Sequence, residues 1–271
     1  MQNAVIVPVD FTPISLNALN YACALCGGAI NRVIAIHLLD PSIGGGEVVQ
    51  AQQHNPAFMK VFRHMQQQIL DKTTEDLQNF VQQQQQAGAN IQPLVAFGTI
   101  YDSFAGIADD EGALLTIMGT HGIVGMQHLT GSRAYKVVAC TGKPFLVVQT
   151  KPYTADTRWY LVFKDAAQLR ACAAQLAAIM GCIPGEVIIN VVSGSASLPA
   201  ALQQHAARIS LTSEHLTDEA NILHQAEAAG ANAVGYCIDR LEESDSLVYG
   251  IGQARIMANE AEMPVLCLTE G

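Results

Sequence analysis

The sequence predicts an α/β protein built from two tandem, doubly wound parallel-sheet units of the flavodoxin-like or Rossmann-like type. Three observations predict this fold class. Short apolar runs alternate with helical patterns, an apolar strand followed by aspartate occurs twice, and a polar linker separates the two series. Such alternation is typical of a parallel sheet covered by helices on both faces. The predicted boundaries are 1–150 for the first unit and 156–271 for the second.

The first unit contains five apolar segments that read as strands buried on both faces. The predicted strands are 4–9, 33–39, 91–97, 114–118 and 145–149, and the predicted helices are 14–26, 56–86, 103–110 and 131–140. Thr12 or Ser15 can cap the first helix, and Pro13 suits its first turn.

The second unit repeats this pattern after the linker 151–156, which contains Pro152. The predicted strands are 159–163, 187–192, 233–238 and 265–268, and the predicted helices are 166–180, 218–229 and 252–261. This unit lacks a long helix between its second and third strands. A single continuous sheet is the alternative, and we favour two sheets because the polar linker interrupts the chain.

The composition limits the classes of function. The formal net charge of −10 argues against a broad nucleic-acid surface. No apolar run approaches the roughly 18 residues of a membrane span. The first residues read as a strand rather than a signal peptide, which predicts a cytoplasmic protein. The seven cysteines are interpreted as buried thiols rather than a disulfide framework.

The segment after the fourth predicted strand carries the most chemical information. Met118 ends the strand, Gly119 and Gly122 follow, and Gly131 and Ser132 open a helix. Glycines admit a phosphate close to the backbone, and a helix start directs free N–H groups at it. Plain tight turns are the alternative reading. Neither GxxxxGK[ST] nor GxGxxG occurs, which disfavours a P-loop NTPase and a dinucleotide dehydrogenase.

These residues resemble the universal stress protein family. The resemblance covers the first unit, through Val-Pro-Val-Asp-Phe-Thr at 7–12, Ile-His-Leu at 36–38, Gly98, and Met-Gly-Thr-His-Gly leading to Gly-Ser. It extends more faintly over the second unit. The resemblance implies an adenine nucleotide alpha hydrolase-like fold and a role in the stress response.

ATP-binding members of the family carry GxxG, nine residues, and then glycine with serine or threonine. The resemblance implies that the phosphates lie on Gly119, Gly122, Gly131 and Ser132, the ribose on Asp10, the adenine on the Leu38 backbone, and the pocket wall on Pro8, Val9 and Met118. Bound ATP would bring Mg²⁺, and no protein metal site is expected. This chain departs from the pattern, since only eight residues separate Gly122 from Gly131.

The second unit has lost this motif. Val-Gly-Tyr-Cys-Ile-Asp-Arg at 234–240 stands where Met-Gly-Thr-His-Gly would be, with Gly235 aligned to Gly119. Tyr236, Asp239 and Arg240 place bulk and charge where backbone access is needed. We interpret this unit as a structural partner that completes an intramolecular pseudo-dimer, with homodimerisation of the whole chain left open. Asp165 repeats Asp10, and a helix-capping role is favoured for Asp165. For Asp10, ligand binding and capping are equally supported.

Three functions remain as hypotheses. The leading one is a nucleotide-dependent switch in the stress response, without catalytic machinery beyond slow ATP hydrolysis. The alternative is an interaction protein of the same fold with an empty or closed site. The third is a transferase or hydrolase using Asp10 and His121, which must then lie within hydrogen-bond reach. His37 is interpreted as a core histidine with its hydrogen bonds satisfied.

Overall fold

The structure, a computed structural model, describes residues 3–26, 30–40, 54–84, 89–98, 103–119, 143–214, 219–238 and 263–269. Two predicted helices, 131–140 and 252–261, lie outside the described residues.

The first half follows the predicted alternation of strands and helices. Its elements are β1 (Ala4–Pro8), α1 (Pro13–Leu25), β2 (Arg32–Leu39), α2 (Pro56–Gln82), β3 (Ile91–Phe97), α3 (Phe104–Asp110), β4 (Ala113–Gly119) and β5 (Phe145–Val148). Thr12 caps α1, because its side chain accepts a hydrogen bond from the Ser15 N–H and Pro13 occupies the first turn. The sequence pattern alone does not distinguish Thr12 from Ser15 as this cap.

The second half repeats the arrangement with a shorter middle section. Its elements are β6 (Arg158–Asp165), α4 (Ala166–Met180), β7 (Glu186–Ser193), a 3₁₀ helix (Ala200–Arg208), β8 (Ile209–Thr212), α5 (Glu219–Ala228), β9 (Ala233–Ile238) and β10 (Val265–Thr269). The 3₁₀ helix and β8 were not predicted. They replace the long helix and third strand of the first half with shorter segments, a nine-residue 3₁₀ helix against a 27-residue helix and a four-residue strand against a seven-residue one.

The two predicted parallel sheets are joined edge to edge. The strand order is β3-β2-β1-β4-β5-β10-β9-β6-β7-β8. Pairing is parallel within each half, and β5 and β10 pair antiparallel with Leu146 opposite Leu266. We favoured two separate sheets because of the polar linker. The two repeats instead form one continuous ten-stranded sheet, which was the alternative prediction.

Side chains of the sheet alternate between two apolar layers. Val5 and Val7 of β1 face the layer that contains α1 and α4, while Ala4 and Ile6 face the layer of α3 and α5. Each layer contains residues from both halves, so the two repeats share one core on each face of the sheet.

One pair of cysteines differs from the prediction of free thiols. The structure joins Cys172 of α4 and Cys237 of β9 as a disulfide, with their Cα atoms 7.1 Å apart. This separation lies above the usual range for disulfides. The two positions are separated by 65 residues, and only the packing of α4 on β9 brings them together. The other described cysteines, Cys23, Cys26, Cys182 and Cys267, are free.

Helix α1 holds the chain that connects the halves. The Asn17 side-chain amide donates to the backbone carbonyls of Gln149 at 2.6 Å and Lys151 at 2.8 Å. The Tyr21 hydroxyl donates to the carbonyls of Lys151 and Pro152, each at 3.2 Å. These bonds fix the start of the linker against α1.

We expect Asn17→Ala to lower the free energy of unfolding by about 1–2 kcal/mol, because two hydrogen bonds to the linker are lost. Asn79→Ala is the matched control, since Asn79 is also helical but exposed. Both changes bring the same gain in helix propensity. Urea denaturation measures the difference, and equal stabilities of the two variants would contradict the role of Asn17.

Candidate functional site

Strand pairing brings six of the predicted site residues to one edge of the sheet. Pro8, Val9 and Asp10 follow along the end of β1, Leu38 lies near the end of neighbouring β2, and Met118 and Gly119 end β4 on the other side. The strand order reverses at β1 and β4, and ligands of open α/β sheets bind in such crevices. Six of the residues predicted from the sequence therefore lie together at the carboxyl ends of these strands.

Three further predicted site residues, Gly122, Gly131 and Ser132, lie outside the described residues, as does His121. The assignment of phosphate contacts to them stays a prediction.

The carboxylate of Asp10 has one oxygen engaged and one oxygen unpartnered. Oδ1 accepts hydrogen bonds from the Thr12 N–H at 3.1 Å and the Thr12 hydroxyl at 2.5 Å. Among the described residues no donor reaches Oδ2, which is shielded from solvent. Since Thr12 caps α1, Asp10 positions the cap and does not serve as the cap itself. A buried acceptor without a donor costs about 1–3 kcal/mol, which a ligand hydroxyl could relieve.

Phe11 adopts an uncommon backbone conformation beside Asp10. Its φ of +64° lies in the left-handed region, which residues other than Gly, Asn or Asp rarely adopt. The Phe11 ring contacts His37 at a centroid distance of 4.9 Å and Phe80 of α2 at 5.6 Å. Phe11 was not among the predicted site residues, because nothing in a Val-Asp-Phe-Thr series indicates a left-handed residue.

His37 is oriented by a main-chain oxygen. Its Nδ1 lies 2.6 Å from the Val9 carbonyl oxygen. Because a carbonyl oxygen only accepts hydrogen bonds, Nδ1 carries the hydrogen in this contact. This contact agrees with the interpretation of His37 as a histidine whose hydrogen bond is satisfied by the fold.

Gly119 has a packing role that is independent of any ligand. A Cβ at this position would lie 2.5 Å from Ile14 Cγ2 and 3.0 Å from the Ile14 carbonyl oxygen. The first turn of α1 therefore rests directly on the end of β4. Met118, only 2% exposed, belongs to the core on the opposite face, whereas Leu38 is half-buried.

The corresponding turn of the second half is closed by its own aspartate. The Asp165 carboxylate accepts from the N–H groups of Ala167 at 2.8 Å and Gln168 at 2.9 Å, and so caps α4. The bond from Gln168, with that from Ala167, lowers the pKa of Asp165. The favoured capping role of Asp165 is confirmed.

The strand register corrects our alignment of the lost motif. Gly119 pairs with Val148 near the end of β5, and Cys237 pairs with Leu268 at the matching position of β10. Cys237 rather than Gly235 therefore occupies the place of Gly119. Its side chain fills the position where the first half needs a glycine.

The described residues contain no group of three or more His, Cys, Asp or Glu side chains that could hold a metal ion. None of the helices in the described ranges combines the length and hydropathy required to cross a bilayer.

Comparison with known proteins follows the division into halves. The model of the universal stress protein family matches residues 1–149. A universal stress protein of Methanocaldococcus jannaschii is 25% identical over 157 residues, which are 56% of this chain and 97% of that protein.

Solved structures resemble both halves together. A universal stress protein of Archaeoglobus fulgidus superposes with a TM-score of 0.59 at 14% identity, covering 99% of this chain and 97% of that one. A putative universal stress protein of Pseudomonas aeruginosa gives a TM-score of 0.55 at 12% identity, covering 99% and 93%. At these identities the likeness establishes the fold alone.

We expect Gly119→Ala to destabilise the ligand-free protein by about 1–3 kcal/mol, because the new methyl group meets the backbone of Ile14. Gly106→Ala is the matched control: apart from its chain neighbours and the backbone of its own helix, no atom lies within 4 Å of the added Cβ, and the site is inside α3. There alanine should stabilise by about 0.5–1 kcal/mol. Chemical denaturation of both variants measures the contrast, and two effects of the same sign would refute the Ile14 contact.

The Asp165 cap predicts a stability difference that depends on pH. The folded-state pKa lies below the unfolded value of about 3.9, so the carboxylate stabilises the fold above that pH. This stability is lost as the pH falls through the folded pKa. In thermal melts, the melting temperature of Asp165→Asn should lie below that of the wild type at neutral pH and should equal it in strong acid. A difference that does not change with pH would contradict the assignment.

Proposed function

Because this chain belongs to the universal stress protein family, we propose that its first half binds an adenine nucleotide, with ATP the leading candidate. Occupancy of the site then changes conformation or partner affinity in a stress response. The observation that carries this proposal is the shielded, unpartnered Oδ2 of Asp10. The proposal includes a cytoplasmic location, where thiols stay reduced. The Cys172–Cys237 pair, whose Cα separation exceeds the usual disulfide range, would be reduced there together with the free cysteines.

The free oxygen of Asp10 restricts the chemistry of its ligand. An ionised carboxylate only accepts hydrogen bonds, so the ligand must present O–H or N–H donors. A ribose diol supplies two adjacent hydroxyl donors. The other oxygen is held by Thr12, which fixes the carboxylate before a ligand arrives. Preorganised acceptors of this kind avoid the entropic cost of ordering a side chain upon binding.

The walls beside Asp10 suit a flat, apolar base. Pro8 and Val9 are buried, and the ladder between β1 and β2 ends where the Val9 N–H donates to the Ile36 carbonyl at 2.8 Å. Leu38 lies two residues beyond that bond. It pairs with Ala96 of β3 on one side, and on the β1 side its backbone can face a ligand. In this proposal the base lies against Leu38, and the ribose reaches Asp10.

The phosphates would extend from the ribose towards the end of β4. Gly119 is the first residue of the predicted phosphate segment, and Gly122, Gly131 and Ser132 complete it in this proposal. Mg²⁺ would accompany the nucleotide on its phosphate oxygens. Backbone N–H groups can bind phosphate without a lysine, which fits the acidic composition of the chain.

The first test is to denature the purified protein and analyse the supernatant for co-purified nucleotide. Thermal melts with ATP, ADP and AMP follow. A ligand at 100 times its dissociation constant stabilises by about 2.7 kcal/mol, which raises the melting temperature by several degrees. Melting temperatures unchanged by all three nucleotides would reject the proposal.

Asp10→Asn tests the carrying observation. The amide oxygen can still accept from Thr12, but the amide NH₂ cannot accept from a ribose hydroxyl. We expect this variant to fold and to lose most of the nucleotide-dependent shift. Asp165→Asn makes the same change in the second half and should keep the full shift.

Gly122→Asp tests the phosphate contacts. The added carboxylate should abolish the nucleotide-dependent shift by repelling the phosphates, and a shift that persists in this variant would place the phosphates elsewhere.

The second candidate function is an interaction protein of the same fold with an empty site. The packing of Ile14 on Gly119 favours this candidate, because that packing alone explains why position 119 needs a glycine, without any ligand. The two candidates differ in the thermal melts, since an interaction protein shows no shift with nucleotide.

A further inference from the structure

Two cysteine side chains of the second half meet although they are distant in the sequence. Cys172 lies in α4 and Cys237 in β9, 65 positions further on, and the structure joins their sulfur atoms. We propose that this pair is a reversible redox site, a dithiol under reducing conditions that hydroperoxides close to a disulfide. This inference does not depend on nucleotide binding.

The backbone geometry suits a bond that opens and closes. The Cα atoms of Cys172 and Cys237 are 7.1 Å apart, whereas disulfides usually join Cα atoms at about 4.4–6.8 Å. A bond between them therefore requires α4 and β9 to approach each other slightly. Bonds that need such an adjustment are more easily reduced than structural disulfides. Disulfides of cytosolic proteins are typically transient, with catalytic or redox-sensing roles.

A second contact of Cys172 distinguishes the two redox states. Its sulfur lies 3.7 Å from the carbonyl oxygen of Thr269 in β10. A thiol can donate a hydrogen bond to this oxygen, whereas a disulfide sulfur has no hydrogen to donate. Reduced Cys172 therefore holds α4 to β10, and oxidised Cys172 holds α4 to β9.

Gln175, three residues further along α4, maintains the contact with β10 in both states. Its side-chain amide donates to the Thr269 hydroxyl at 3.0 Å and accepts from the Thr269 N–H at 3.1 Å. Oxidation thus exchanges one bond of the helix and leaves its neighbours in place. Such a local exchange allows the pair to close without unfolding the second half.

The site occurs only where the two halves differ. Cys237 pairs with Leu268 at the position that Gly119 occupies beside Val148 in the first half. A glycine at this position has no side chain with which to bond a helix. The first half therefore has no counterpart of the Cys172–Cys237 pair.

Unequal burial determines the order of the reaction. Cys172 is fully buried and Cys237 is half-buried, so a hydroperoxide reaches Cys237 first. The Cys237 thiolate attacks one oxygen of hydrogen peroxide, the O–O bond breaks, and a sulfenic acid forms. The departing hydroxide takes up the proton that the Cys237 thiol released and becomes water.

The second step forms the bond between the two sulfurs. The Cys172 sulfur attacks the sulfenic sulfur of Cys237, and the S–O bond breaks. The hydroxyl group leaves with the Cys172 proton as a second water. In sum, the two thiols supply two electrons to one hydrogen peroxide, giving one disulfide and two waters.

The test is a count of free thiols in the full-length protein before and after exposure to hydrogen peroxide. Alkylation in denaturant followed by intact-mass spectrometry gives the count. The reduced chain has seven cysteine thiols, and we expect five after oxidation because one disulfide consumes two. Peptide mapping should find positions 172 and 237 linked, and reduced glutathione should then restore all the thiols.

Single substitutions test the order of the reaction. Cys172→Ala removes the second thiol, so oxidation should stop at a sulfenic acid on Cys237, which dimedone traps. Cys237→Ala should leave Cys172 unmodified, because the peroxide does not reach a buried thiol. A thermal melt verifies the fold of each variant. The count on the wild-type protein requires no variant and tests the proposal by itself.

Cys182→Ser is the matched control. Cys182 is half-buried like Cys237, but its thiol is free. Burial raises the pKa of Cys182 to about 11, which keeps its reactive thiolate scarce. This variant should form the link between positions 172 and 237 as fast as the wild type does.

Three results would overturn the proposal. Seven thiols that persist in hydrogen peroxide would show that the pair does not close. A disulfide between other cysteines would place the redox site elsewhere. A bond between Cys172 and Cys237 that glutathione does not open would be a structural disulfide and not a reversible site.

Discussion

The antiparallel pairing of β5 with β10 is the constraint on which the architecture depends. Each strand is the edge of its own half, and both are short and apolar. An apolar edge left unpaired would present backbone donors and acceptors to other chains. Joining the two edges satisfies those groups and buries both strands. Since every other pairing described in the sheet is parallel, this junction reverses the strand direction between the halves.

This reversal determines where the two β–α turns lie. The carboxyl ends of β1 and β6 therefore lie at opposite ends of the strands in the continuous sheet, so Asp10 and Asp165 cannot share one ligand.

The reversal also shortens the path of the linker, because the carboxyl end of β5 and the amino end of β6 lie at the same end of the strands. The linker crosses three strand spacings, about 14 Å, and its nine residues, 149–157, can span about 30 Å. The excess length lets it lie against α1, where Asn17 and Tyr21 bind it.

Patterns local in the sequence predicted most of the fold. Continuous apolar runs located nine of the ten described strands, because strands buried on both faces need them. The exception, β8, has only four residues and is half polar, so its pairing with β7 and not its composition makes it a strand. The site was predictable to the extent that parallel strands end at one edge. The free oxygen of Asp10, the conformation of Phe11 and the pairing of Cys172 with Cys237 depend on contacts between distant residues or on side-chain orientation, which spacing does not encode.

The repeated strand-plus-aspartate pattern conceals two different turns. In the second half α4 begins directly after β6, so Asp165 is the only residue placed to cap the helix. In the first half four residues separate β1 from α1, and Thr12 takes over the cap. The longer turn requires Phe11 in the left-handed region, which costs about 1–2 kcal/mol. The ring contacts with His37 and Phe80 help to hold that conformation. Strain and an unsatisfied carboxylate oxygen thus occur side by side in the one turn that is not closed by its own aspartate, and strain of this kind gathers at ligand sites.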